Sequence, residues 1–283
     1  MENYIVVNEF LCLESFKKIY SALQKAFLSF GEELKIITNV QAKELAKSKG
    51  KNEPILFWDK DVYLAKLLEK SGYRCVNGSF AIETCDDKAK TYLQLLNKVP
   101  QPNTMLAPFT YDGYIYSNDS FLSEMVKDFQ FPLIVKENKG SFGAQVYLVN
   151  DIQELKDLIS NFNHCEFLLQ EFISSSAGKD IRVYVVGAAS VAYAMRYSDN
   201  DFRSNVTAGG KMKKVDLPKE YLDMAIKATE CVGADFAGVD LLISDNGPIV
   251  CEVNSNAHFT ALSECTGVDI AKDIAKYFLS LKK

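Results

Sequence analysis

Two apolar runs between Phe236 and Asn256 flank Ser244-Asp245-Asn246-Gly247-Pro248, a pattern that commits the late part of the chain to an antiparallel hairpin. With Ser244 facing Pro248 across the turn, Asp240 falls opposite Glu252. Asn254 is two residues further on and shares the face of Glu252. Val239, Leu241, Leu242 and Ile243 on one run, and Ile249, Val250, Cys251 and Val253 on the other, predict strands covered on both faces. A carboxylate inside such a strand needs a partner, and two facing carboxylates repel unless a cation lies between them. Asp240, Glu252 and Asn254 are therefore expected to converge as hard oxygen donors for magnesium, with substrate phosphates completing the shell. The plainer alternative is a polar pair on a solvated strand face.

The start of the chain obeys a different rule. Residues 4–76 alternate apolar runs (Tyr4–Val7, Leu34–Thr38, Ile55–Trp58, Tyr73–Val76) with helical periodicity, as at 13–30, which predicts a parallel sheet covered by helices. It carries no G-x-G-x-x-G, so a dinucleotide role is unsupported and a packing role, as one wall of a cleft, is expected. The 283 residues suffice for two domains or one large one. A net charge of −5 gives no reason to expect nucleic acid or an anionic membrane as partner. The seven cysteines form no Cys-x-x-Cys pair, and the two histidines, His164 and His258, lie far apart. Zinc is not expected, and a reducing, cytoplasmic setting is. The N-terminus lacks a signal-peptide pattern and no apolar run is long enough to span a bilayer.

Between these regions, Asp86-Asp87-Lys88 opens a helix running to about Asn97, and 103–120 reads as a loop or weak strand with no role for its tyrosines. Phe131–Glu137 and Ala144–Val149 are paired strands around the glycine-bearing turn 138–143. Lys136 lies inside an apolar strand, where a lysine is costly unless an anion meets it, and the amides of the turn suit phosphate oxygens. Residues 151–162 form a helix with Asp151 as N-cap, and Phe167–Ile173 a strand. Lys179–Val186 and Val191–Arg196 form a second hairpin. With Val186 facing Val191, Arg196 falls opposite Ile181, diagonal to Asp180 and Arg182. Arg203 follows, before a flexible 208–211. Three arginines near a carboxylate site are expected to serve an anion, carboxylate or phosphate. Helices at 218–232 and 268–281 complete the chain.

The order of Asp87-Lys88, Val135-Lys136 with Gly140–Gly143, Gln170–Ile173, Lys179–Arg182, Asp201–Asn205 with Gly209-Gly210, Gly238–Asp240 and Glu252–Asn254 resembles the ATP-grasp superfamily, in its RimK-type branch of amino-acid ligases. That resemblance implies an α/β ATP-grasp fold, two α+β lobes clasping ATP after a small parallel α/β domain. The expected divisions are 1–85, 86–165 with a glycine flap, and 166–283 with the metal site.

By the same resemblance, Lys88 and Lys136 contact ATP phosphates while Ser141, Phe142 and Gly143 close over them. Glu171 with the Phe172 and Ile173 backbone forms the adenine hinge, Asp180 lies near the ribose, and Gln170 and Lys179 belong to the same nucleotide-binding set. Arg182, Arg196, Arg203 and Asn205 hold phosphate and the acid substrate. Asp240, Glu252 and Asn254 bind two magnesium ions, with manganese as a substitute. The implied reaction joins a carboxylate substrate to an amine through an acyl phosphate, with an amino acid such as glutamate added to a peptide, protein or small molecule. Rival readings are a kinase acting on a hydroxyl, and a nucleotide-binding regulatory protein without turnover. A homo-oligomer, dimer or tetramer, fits the resemblance. The chain departs from the pattern at Ala144-Gln145 after the flap and at 255–259 after the magnesium asparagine, where His258 either touches substrate or opens the next helix.

Overall fold

The computed structural model describes residues 2–111, 116, 118–140, 143–162, 166–204 and 209–282. Its first sheet is built from β1 (Asn3–Val7), β2 (Leu34–Thr38), β3 (Pro54–Trp58) and β4 (Arg74–Val76), all parallel in the order β2-β1-β3-β4. Helices α1 (Glu14–Ser29) and α2 (Val62–Lys70) cross over between strands. Alternation along the strands divides the packing. Ile5, Val7, Leu56 and Trp58 share one core with α1 residues Ile19, Leu23 and Phe27, while Val6, Ile55 and Phe57 share another with Leu64, Ala65 and Leu68 of α2.

Next come α3 (Ser79–Cys85) and α4 (Lys88–Leu95), whose N-cap Asp87 accepts from the Lys90 amide at 3.0 Å. A second sheet follows from β5 (Thr104–Leu106), β6 (Leu133–Glu137), β7 (Val146–Val149) and β8 (Phe167–Glu171), antiparallel in the order β5-β8-β6-β7. Helices α5 (Ser120–Met125) and α6 (Ile152–Ser160) accompany it, the latter capped by Asp151. One of the expected divisions lies at 165/166. It falls just before β8, whose pairing with β5 and β6 carries the second sheet through Glu171.

The third sheet holds β9 (Lys179–Val186), β10 (Ala189–Tyr197), β11 (Lys211–Lys213), β12 (Phe236–Ser244) and β13 (Gly247–Asn254), in the order β11-β10-β9-β12-β13. On one face Ile181, Val183, Val185, Val239 and Leu241 pack with α7 (Lys219–Cys231). On the other, Tyr184, Val186 and Phe236 join the first sheet, α8 (Thr260–Thr266) and α9 (Ile270–Ser280). Further along that second face the side chains become charged: Asp180, Arg182, Arg196 and Asp240. No described helix is long and apolar enough to cross a membrane.

Both hairpins differ from expectation by local turn geometry. Val186 pairs with Ala189 around Gly187-Ala188, with Gly187 at φ +58, and an irregularity between Ser190 and Ala192 shifts the register by one. Arg196 therefore faces Asp180, not Ile181. In the later hairpin Ser244 pairs with Gly247, not Pro248, but a bulge at Cys251 restores Asp240 opposite Glu252.

Asn77 stitches the first sheet to the third. Its side chain is fully buried, donates to the carbonyls of Phe236 (2.9 Å) and Ser255 (2.7 Å), and accepts from the amides of Asp235 (2.6 Å) and Phe236 (3.1 Å). Asn77→Ala leaves these backbone groups without those partners in a place closed to water. A stability loss of about 3 kcal/mol is expected by urea unfolding; a loss below about 1 kcal/mol would show that the seam does not depend on this residue.

Candidate functional site

A cleft of about 1180 Å³, solvent at its mouth included, opens between the second and third sheets. The second sheet contributes Lys136 and Gln170, continuing into Glu171, Phe172 and Ile173. Lys179, Asp180, Arg196, Asp240, Cys251 and Glu252 face them from the third, and Lys88, Gly143 and Arg203 also line the cleft.

Lys136 is only 8 % exposed, yet no described acidic group pairs with it. Its ammonium donates to Gln170 Oε1 at 2.6 Å and lies 3.6 Å from Cys251 Sγ, which the bulge turns toward it. Lys88, at the first turn of α4, donates to the Gly140 carbonyl at 3.5 Å, and among the described residues no acid forms an ion pair with it. Burial holds its ammonium below the usual lysine range, and the Glu252 carboxylate opposes that shift. Two incompletely compensated ammonium groups on one wall suit a polyanion.

The charged face of the third sheet is self-neutralising. Arg182 grips Asp240 with two nitrogens, one pair at 2.9 Å, and Arg196 reaches the same carboxylate at 2.8 Å. Arg196 also holds Asp180 in a fork, with one contact at 2.7 Å. Burial pushes the Asp240 carboxyl up, but the two guanidinium groups outweigh it and hold the acid below its usual range. These are two of the arginines expected to serve an anion, and Arg196 lines the cleft. Arg182 does not line the cleft, and both are engaged by the sheet's own acids. Arg203 pairs with Asp201 and donates to the Gly143 carbonyl at 2.6 Å, tying the loop after β10 to the flap's end. Ser141, Phe142 and Asn205 lie outside the described residues.

Part of the expected donor set is placed to meet a hard divalent cation. Asp240 and Glu252 are cross-strand partners, with Asn254 two residues on at the end of β13, though Asn254 does not line the cleft. Three arginine contacts occupy most of the roughly four acceptor positions of the Asp240 carboxylate. Among the described residues no three His, Cys, Asp or Glu side chains gather as a metal cage. An ion here would rely on Glu252, with Asp240 and Asn254 in support, and on oxygens supplied by a ligand, the habit of magnesium at phosphates.

Two participants were not foreseen. Cys251 enters the cleft through a bulge that apolar alternation does not announce. Thr104 lies in the stretch given no role, and its hydroxyl accepts from Gln170 Nε2 at 3.0 Å.

A model of the RimK-like ATP-grasp domain matches residues 85–278. N-acetylaspartylglutamate synthase A of Homo sapiens is 35% identical over 227 residues, covering 79% of this chain and 56% of that protein. Beta-citrylglutamate synthase B of Mus musculus is 35% identical over 227 residues, covering 79% and 57%. The chain thus spans little more than half the length of these relatives. The crystal structure of a RimK domain ATP-grasp protein from Sphaerobacter thermophilus superposes with a TM-score of 0.72 at 18% identity, over 98% of this chain and 99% of that one.

Proposed function

The chain belongs to the RimK-like ATP-grasp family, and from that premise we propose that it is an ATP-dependent ligase joining a carboxylate to an amine. The observation that carries the proposal is the opposition, across one cleft, of the under-compensated Lys88 and Lys136 to the Asp240–Glu252 pair. A carboxylate is a poor electrophile toward an amine, and its charge repels the ATP phosphates that would activate it. Joining them needs positive charge on the phosphates and a fixed line of approach. Lys88 and Lys136 supply the charge, and the Glu171–Ile173 segment, at the end of β8, would receive the base. Bound magnesium, held chiefly by Glu252 with Asp240 and Asn254, would add charge stabilisation at the phosphoryl oxygens.

Arg182 and Arg196 hold Asp180 and Asp240 in place beneath the nucleotide, and the acid substrate would lie toward Arg203 and Asn205. Closure of the flap over the cleft, with Arg203 on Gly143, would keep water from an acyl phosphate until the amine attacks. The names of both curated relatives contain glutamate while their acids differ. Glutamate is therefore the amine to try first, against a panel of acids and acidic peptides.

Incubation with ATP, magnesium, candidate acids and hydroxylamine tests the chemistry. Hydroxamate formation with matching ADP release is expected. ADP release driven by an alcohol without hydroxamate would make the protein a kinase, and tight ATP binding without turnover across the panel would make it a regulatory binder.

A further inference from the structure

Three strands place Thr104, Gln170 and Lys136 on one face. Thr104 of β5 is directly opposite Gln170 of β8, while Lys136 of β6 is opposite Leu168 and reaches Gln170 diagonally. All three are less than a tenth exposed, so solvent is a poor substitute for their mutual contacts. Lysine offers only donors, so the atom it meets on Gln170 must be the amide oxygen, at 2.6 Å. The amide nitrogen is thereby directed to the opposite side, where it needs an acceptor. Thr104 Oγ1 supplies one at 3.0 Å, because its own proton goes to the Pro102 carbonyl at 2.8 Å. A single direction satisfies the chain: Lys136 to Gln170, Gln170 to Thr104, Thr104 to Pro102. Turning the amide over would set its NH₂ against the ammonium.

We infer that Thr104 is a positioning residue for Lys136, acting through Gln170. A lysine side chain has several rotatable bonds and loses much rotamer freedom when held in one place. The relay holds the ammonium at the cleft wall before any anion arrives, so that binding does not have to order it. Thr104 itself does not line the cleft. The inference deepens the nucleotide reading of that cleft and rests on it for the ligand, but not for the geometry.

The test uses two readouts on the full chain: ATP affinity by calorimetry, and the rate at which limiting acetic anhydride acylates Lys136, read by peptide mass spectrometry. In Thr104→Val the ATP Kd is expected to rise by up to about tenfold, the upper end of what one neutral hydrogen bond contributes, and acylation of Lys136 to quicken as its Gln170 anchor is loosened. Thr104→Ser, which keeps the acceptor, should restore both. The pair Thr104→Val/Gln170→Met leaves no unpaired Gln170 amide, only the Lys136 ammonium and the Pro102 carbonyl without their side-chain partners, and should free Lys136 equally even if the single variant folds poorly. Wild-type acylation rates in both valine variants overturn the relay, as does a serine variant as impaired as valine. If the wild type binds no ATP, the nucleotide reading fails while the acylation result still decides the relay.

Discussion

Asp240→Asn should cost the fold about 3–5 kcal/mol as well as its turnover, whereas Glu252→Gln should abolish turnover in a protein that unfolds like wild type. Sequence alone reads both acids as metal ligands and gives neither a separate part in the fold. The structure separates them. Asp240 is 4 % exposed and neutralises two buried guanidinium groups. Removing its charge leaves Arg182 and Arg196 with Asp180 alone, and an uncompensated buried cation is far more expensive than a lost surface pair. Glu252 is half-buried at the cleft wall, and no described cation forms an ion pair with it. Its substitution removes a carboxylate charge from the cleft wall without stranding an internal partner.

Urea unfolding and ADP release, measured on both variants, check the contrast. Adding Arg182→Met to Asp240→Asn should recover part of the stability, since it removes the stranded charge, and none of the turnover. Equal stability of Asp240→Asn and Glu252→Gln would mean that the arginine pairing contributes nothing, and the account of this face would have to be abandoned.

How much of this was legible beforehand depended on the length scale of the signal. The parallel strands and their helices were readable because periodicity persists over many residues, as in the spacing of Ile19, Leu23 and Phe27 on α1. Asp240 opposite Glu252 was readable too, although the turn closes one residue earlier than expected and the bulge at Cys251 compensates. Arg196 facing Asp180 was not, because a two-residue turn and a bulge together shift the register by one, and a one-residue shift changes the partner of every side chain. Nor was the short strand β11, whose three residues leave too little pattern to distinguish from loop. The clustering of Arg182, Arg196 and Asp180 was visible, but not its consequence. Charges brought together in sequence space give no sign of whether they face a ligand or one another. Thr104 shows the same limit at the scale of one hydroxyl, since its meaning comes from Gln170, 66 residues away.

Lys136→Met should weaken ATP binding on the order of 100-fold while changing stability by no more than about 1 kcal/mol, the reverse of the Asp240 result. Two effects oppose each other in the fold. Replacing a nearly enclosed ammonium with an apolar chain of similar length removes a desolvation cost. It also strands Gln170 Oε1, whose donor at 2.6 Å disappears, at a cost of about 1–3 kcal/mol. No carboxylate is left uncompensated, because no described acid pairs with this lysine. In binding there is no such cancellation: the phosphates lose a positive charge already desolvated and aimed, and nothing replaces it.

Calorimetric titration with ATP beside a thermal melt separates the two quantities. Binding within about threefold of wild type would remove Lys136 from the phosphate site. Lost binding together with a collapsed melting temperature would show that the residue holds the second sheet together. A silent melt with lost binding is the signature of a charge kept in place for a ligand, at a position where the fold itself gains nothing from it.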